Sequence, residues 1–126
     1  MQRILPMSRP TALPIAALAC ALAATPASAH AFLDHAIPPV GGTVSASPGV
    51  LQLFYTENVV LAFSGVRVAM DGGGSVPVSK PSLAAPNELV VKLGRALKPG
   101  TYLVSWHVVS VDTHHTQGTY KFTVAP

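Results

Sequence analysis

The chain has 126 residues, of which 49% are hydrophobic and only 10% are charged. Its formal charge is +3 at neutral pH, and its 8 Lys and Arg residues form no basic cluster. This composition argues against nucleic acid or an anionic membrane surface as a partner, because both are recognised through dense basic patches.

Residues 1–29 have the three-part layout of a secretory signal peptide. Two arginines make the start positive, and the stretch 11–24 (TALPIAALACALAA) is apolar but too short to span a bilayer comfortably. Residues 27–29 (ASA) form a small-x-small cleavage pattern. We therefore expect a cut that leaves His30 as the first residue of a mature protein exported to the periplasm.

A second interpretation takes residues 18–20 (LAC) as a lipoprotein box, with Cys20 as the lipidated first residue of a membrane-anchored form. Ala17 is a poor start for such a box, and a cut there would shorten the apolar core of the signal. We favour the cut before His30, which alone frees the α-amine of this histidine.

The mature chain, residues 30–126, is long enough for one domain with a single core. It retains six Lys or Arg against five Asp or Glu, a formal charge of +1, and it has no cysteine. Without a disulfide, stability must come from the core or from a ligand such as a metal. No exposed apolar stripe is predicted, so we expect a monomer.

Short apolar stretches rich in Val, Leu, Tyr and Phe alternate with Pro, Gly, Ser and Asn clusters, which is typical of an all-β sandwich. The stretch 71–74 (DGGG) permits the positive φ of a tight hairpin. Seven strands are predicted, near residues 31–37, 50–55, 64–70, 75–78, 88–93, 101–110 and 118–124. In the stretch 101–110, alternation predicts a core face made of Tyr102, Val104, Trp106 and Val108.

All five histidines fall in the mature chain, at positions 30, 35, 107, 114 and 115, which is dense for a domain of this size. In an extended segment Asp112 and His114 project to the same side, so that a carboxylate and an imidazole converge. His115 alternates away and is expected to be solvated, whereas His107 is expected to be partly buried and hydrogen-bonded. The role of His35 stays open.

An N-terminal histidine chelates a metal by itself, because its α-amine has a pKa near 8 and lies close to its own Nδ1. His30 would thus supply two nitrogens, to which His114 adds a third and Asp112 an oxygen. Cu(II) prefers such a tetragonal N and O set, and Zn(II) would accept it less specifically. An alternative is that the Asp-x-His pair only caps a turn in a sandwich that binds no metal.

The chain resembles the CopC family of periplasmic copper-resistance proteins, and the resemblance covers essentially the whole mature chain. The first shared segments are His30-Ala-Phe-Leu, Pro38 with Gly41-Gly42, Ser47-Pro48 and Leu51-x-Leu-x-Tyr-x-Glu57. The others are Tyr102-x-Val-x-Trp106-x-Val-Val-Ser110, Ser110-Val-Asp112-Thr-His114 and Gly118-Thr-Tyr-Lys-Phe122.

The resemblance implies a seven-stranded Greek-key sandwich of cupredoxin-like topology, related to immunoglobulin-like folds. It implies one Cu(II) per chain bound by His30, Asp112 and His114, with Glu57 as an outer carboxylate that orients an imidazole. It further implies a non-enzymatic copper carrier or buffer with an inner-membrane partner of the CopD type. Unlike methionine-rich members, the mature chain has only Met70, so no separate Cu(I) site is expected.

The runner-up function is a small oxidative enzyme, because His30 with a second histidine also resembles the copper brace of lytic polysaccharide monooxygenases. A domain of 97 residues offers few long loops for a substrate platform. An equatorial Asp112 would also fill a position that oxygen chemistry needs open. We therefore favour transport or storage of copper over turnover.

Overall fold

A computed structural model describes residues 30–126; the predicted signal peptide and the alternative lipid attachment at Cys20 lie outside this range. The described chain contains one 3-10 turn, Leu61–Phe63, and none of its helices is long and apolar enough to cross a membrane. Its nine strands are β1 (Leu33–Ile37), β2 (Thr43–Val44), β3 (Val50–Tyr55), β4 (Gly65–Met70), β5 (Ser75–Val76), β6 (Ser82–Ala85), β7 (Glu88–Lys92), β8 (Gly100–Val109) and β9 (His115–Val124).

The strands form two sheets, one of four strands in the order β1-β3-β7-β6 and one of five in the order β2-β9-β8-β4-β5. The chain changes sheet five times, between β1 and β2, β2 and β3, β3 and β4, β5 and β6, and β7 and β8. As a result β3 pairs antiparallel with β7, and β4 pairs antiparallel with β8, although neither pair is consecutive. This connectivity is that of a Greek-key sandwich.

The predicted all-β sandwich is confirmed, and all seven predicted strands are present, β3 with its predicted bounds and the other six with ends shifted by one to three residues. Two short strands, β2 and β6, were not predicted, and both lie at sheet edges. The last strand begins at His115 rather than near Gly118. In the hairpin before β5, Gly72 adopts a φ of 74°, so the predicted glycine turn is also found.

The core lies between the two inner faces and follows the alternation of the strands. The predicted core face of β8 is confirmed, because its four members are each at most 7% exposed. The opposite sheet contributes Leu51, Leu53, Tyr55, Leu89 and Val91, all of them buried. Since no disulfide contributes to the described domain, this aromatic and aliphatic layer supplies most of its stability.

The longest strand pair, β8 with β9, extends beyond the core at one end of the sandwich. Its ladder continues to the pair Val109 and His115, and the turn between them is residues 110–114. The loop that follows β3 reaches the same end, where Val59 bridges to Ser110. The segment that precedes β1 also lies here, because Phe32 and Thr56 share hydrogen bonds. Three distant stretches of sequence therefore meet at this end.

Candidate metal centre

The turn between β8 and β9 is closed by a compact set of hydrogen bonds around Ser110. The amide of Ser110 donates to the His114 carbonyl at 2.9 Å, and the amide of Thr113 donates to the Ser110 carbonyl at 2.8 Å. Thr113 adopts a φ of 75°, in the left-handed region that non-glycine residues seldom enter. Only 1% of Ser110 is exposed, so the turn rests on a buried hydroxyl.

Asp112 is held by a neighbour on each of its oxygens. The Ser110 hydroxyl donates to Oδ1, and Oδ2 lies 3.1 Å from Nδ1 of His114. The hydrogen bond from Ser110 is the largest cause that lowers the pKa of the Asp112 carboxyl; desolvation opposes it, and the contacts with His114 lower the pKa further. Asp112 is therefore a carboxylate at neutral pH, with oxygen lone pairs left for a metal.

The ring of His30 lies against the ring of His114. Their centroids are 4.4 Å apart and their planes meet at 77°, which is an edge-to-face arrangement. The Nδ1 atom of His30 is buried and has no hydrogen-bond partner in the described chain. Buried polar atoms normally have a partner, so this nitrogen fits a site whose partner is a metal ion.

The three predicted ligands thus lie at one end of the sandwich. No three His, Cys, Asp or Glu side chains within residues 30–126 converge closely enough to count as a ready metal cluster. Asp112 contacts Ser110 and His114, and His114 in turn contacts His30. His114 therefore links the three predicted ligands.

Within the described residues, Glu57 and the other histidines form no side-chain hydrogen bond, ion pair or ring contact with these ligands. Glu57 is exposed in the bend after β3, and within the described residues it forms no ion pair or side-chain hydrogen bond. His35 pairs with Asp34 at 2.7 Å and stacks on Phe54 with a centroid distance of 4.2 Å. The side chain of His35 therefore interacts with Asp34 and Phe54 and not with the predicted copper ligands.

The two remaining histidines differ in how they match expectation. His115 is exposed, as predicted. The expectation for His107 was wrong, because this residue is exposed on the outer face of β8 and its ring lies over Gly65. A Cβ atom at Gly65 would stand 2.5 Å from Cε1 of His107, so the absence of a side chain there provides the room for the ring.

Three hydroxyl residues around the ligands were not predicted as site residues. Ser110 contacts Asp112, while Thr56 and Thr116 contact the backbone next to His30. The contacts of Thr56 and Thr116 depend on the packing of distant segments, whereas the contact of Ser110 lies within a single turn.

Residues 33–125 match the model of the CopC domain. Protein YobA of Escherichia coli K12 is 40% identical over 98 residues, covering 76% of this chain and 79% of YobA. The crystal structure of PcoC, a methionine-rich copper resistance protein from Escherichia coli, superposes with a TM-score of 0.71 at 35% identity, over 76% of this chain and 99% of PcoC. The copper transport protein CutJ of Bacillus subtilis is 26% identical over 76% of this chain but only 18% of CutJ. The chain belongs to the CopC family.

Proposed function

We propose that the mature protein begins at His30 and binds one Cu(II) ion through the His30 amine and Nδ1, the His114 imidazole and the Asp112 carboxylate. The contact between the rings of His30 and His114, 4.4 Å apart, is the observation that carries the proposal. It joins the predicted N-terminal residue to the Asp-x-His turn. Two imidazoles and a carboxylate with a lowered pKa are a donor set of the kind that Cu(II) prefers.

Loading requires that each nitrogen donor lose its proton and that the N-terminus be free. Before the signal peptide is removed, the backbone nitrogen of His30 belongs to a peptide bond and cannot act as an amine ligand. Removal of the signal peptide therefore adds the α-amine as a donor beside the contacting rings of His30 and His114. The buried Nδ1 of His30 gains a partner, which it lacks among residues 30–126.

The role that fits this site is that of a non-enzymatic copper carrier or buffer in the periplasm. The names of the related proteins, which refer to copper resistance and copper transport, support this role. CutJ, a copper transport protein, contains a stretch similar to this chain within a much longer protein, which supports a role in handing copper on. We propose that the recipient is an inner-membrane partner of the CopD type. We propose that the protein acts as a monomer with copper as cargo.

Glu57 is proposed to act from outside the ligand set, by orienting an imidazole once copper is bound. Its position supports this role, because the preceding Thr56 is hydrogen-bonded to the backbone of Phe32. Glu57 is therefore carried by the same loop that holds the N-terminal segment.

Electron paramagnetic resonance of the processed protein with one equivalent of Cu(II) tests the proposal. We expect a tetragonal signal with nitrogen coupling. One extra residue before His30 should change the signal sharply, because the amine moves away from the imidazole. The matched control is His115→Ala, which leaves the proposed ligands intact. An unchanged spectrum in the extended protein would show that the amine is not a ligand.

A further inference from the structure

Two threonines hold the backbone of the segment that carries His30. The Thr116 hydroxyl donates to the Ala31 carbonyl at 2.6 Å. On the other side, the Phe32 amide donates to the Thr56 hydroxyl at 3.0 Å, and the Thr56 amide donates to the Phe32 carbonyl at 2.8 Å. A longer bond of 3.4 Å joins the Thr56 hydroxyl to the His30 carbonyl. The segment is therefore attached on both sides.

Ala31 lies between these contacts and fixes the segment to the core. Ala31 has no exposed surface and belongs to the core cluster, so its small side chain fills a place inside the sandwich. His30 on one side is partly exposed and Phe32 on the other is exposed. Burial of Ala31 together with the bonds to its neighbours fixes the direction in which the His30 side chain leaves the backbone.

Thr116 also connects the two halves of the candidate site. It lies on β9 two residues after His114 and pairs with Val108 of β8. Through its bond to Ala31, the strand that follows one proposed copper ligand is tied to the residue that follows the other. The separation of the two imidazoles is thus set partly by a single side-chain hydrogen bond.

Chain termini are usually poorly ordered unless something ties them down. A ligand on a free terminus must be ordered when the ion binds, which weakens binding, whereas a ligand held in place beforehand avoids that loss. In this domain the proposed terminal ligand is already attached at the two residues that follow it. The backbone that carries His30 is therefore ordered before an ion binds.

We propose that Thr116 and Thr56 are positioning residues that hold the His30 imidazole beside His114 and thereby raise the affinity for Cu(II). This inference rests on the proposed function. The two threonines do not touch the ion. They act on the backbone of residues 30–32, and Thr116 has the larger effect because its bond spans the two ligand-bearing segments.

Three variants of the processed protein test the proposal. Thr116→Val keeps the shape of the side chain but removes the hydroxyl, leaving the Ala31 carbonyl without this donor. We expect Cu(II) binding, measured against a competing chelator, to weaken about tenfold. Thr116→Ser restores a hydroxyl and should recover most of the affinity. Thr119→Val is the matched control, because Thr119 is exposed on the same strand, and it should bind copper as the wild type does.

Two further readouts separate positioning from general destabilisation. In the metal-free protein, hydrogen exchange at the Phe32 amide should be faster in Thr116→Val than in the wild type, while the thermal midpoint changes little. The copper signal in electron paramagnetic resonance should broaden, because the nitrogen ligands occupy several geometries. If Thr116→Val does not fold, Thr56→Val provides the same comparison from the other side of the segment.

The proposal is wrong if Thr116→Val binds copper with wild-type affinity. It is equally wrong if Thr119→Val loses as much affinity, or if Thr116→Ser recovers none of it. Failure of the wild type to bind Cu(II) would overturn the proposed function instead. In that case the exchange rate at Phe32 in the metal-free protein still decides whether the threonines hold the segment.

Discussion

The rings of His30 and His114 meet edge to face with centroids 4.4 Å apart, although one residue precedes the first strand and the other lies in the last turn. The local structure around each histidine does not by itself bring the two rings together. The contact depends on the N-terminal segment docking beside β3 and on the length of the β8–β9 hairpin. The candidate site is therefore a product of tertiary structure, and it should be lost when either segment is displaced.

Replacement of His114 by alanine should weaken Cu(II) binding by more than about 100-fold, since loss of a direct ligand exceeds the 10- to 100-fold effects of outer contacts. The adjacent variant His115→Ala is the control, because His115 is exposed and its ring is not placed in the donor set. Competition titration compares the two proteins. Equal losses of Cu(II) affinity in the two variants would show that binding depends on the integrity of the turn and not on the His114 ring.

Removal of the Ser110 hydroxyl should raise the pKa of Asp112, because this hydrogen bond is the main cause of its lowered value. The sign follows from the charge, since a hydroxyl that donates to a carboxylate favours the ionised form. A carboxyl titration of Ser110→Ala followed by nuclear magnetic resonance measures the change. Copper affinity should fall about tenfold, as for other groups that orient a ligand. A pKa that stays at the wild-type value would refute this role for Ser110.

Acidification should release copper progressively. Imidazole and the α-amine have ordinary pKa values of about 6.5 and 8, so protons compete for these nitrogens as the pH falls. The pKa of Asp112 is lowered, so its carboxylate stays charged throughout that range and takes no part in this competition. Asp112→Asn should therefore weaken binding and move the midpoint of release to higher pH, while the slope of copper affinity against pH stays unchanged. Constant affinity from neutral pH to about pH 4 would contradict ligation by nitrogen.

The alternation of apolar and polar residues predicted those parts of the fold that depend on residues close together in the sequence. Tyr102, Val104 and Trp106 face the core because a strand places every second side chain on one side. The same rule placed Asp112 and His114 together. The structure reaches this result through a turn with Thr113 at positive φ, so the extended geometry assumed for this segment was wrong although the proximity was right.

The features that escaped prediction depend on distant partners. β6 (Ser82–Ala85) has no β-branched or aromatic residue and forms by pairing with β7. β9 starts before Gly118 because residues 115–117 pair with residues 107–109 of β8. Gly118 itself pairs with Trp106, whose ring lies where a side chain would be. A Cβ atom at Gly118 would stand 2.7 Å from Cζ2 of Trp106. The hydroxyl contact of Thr116 with Ala31 likewise exists only after the segments have packed.

Titration with Cu(I) under anaerobic conditions should reveal no second site of strength comparable to the Cu(II) site. Cu(I) prefers thioether and thiolate ligands, and Met70 is the only sulfur residue of the described chain. Met70 packs against the core and pairs with Tyr102 near the start of β8, whereas the candidate site follows the end of that strand. Met70→Leu should change neither the Cu(II) affinity nor the result of the Cu(I) titration. A strong second Cu(I) site would disprove the prediction.

Replacement of Tyr55 by phenylalanine should leave the free energy of unfolding unchanged or raise it by up to about 1 kcal/mol. The Tyr55 hydroxyl is buried without a hydrogen-bond partner in the described chain, so its removal relieves a desolvation cost. Burial raises the pKa of this phenol, which stays neutral.

Tyr102→Phe is the matched control, because the Tyr102 hydroxyl donates to the Lys98 carbonyl at 2.7 Å. Loss of that bond should destabilise the protein by about 1 kcal/mol in chemical denaturation. A larger loss in Tyr55→Phe than in Tyr102→Phe would mean that the Tyr55 hydroxyl has a partner in solution.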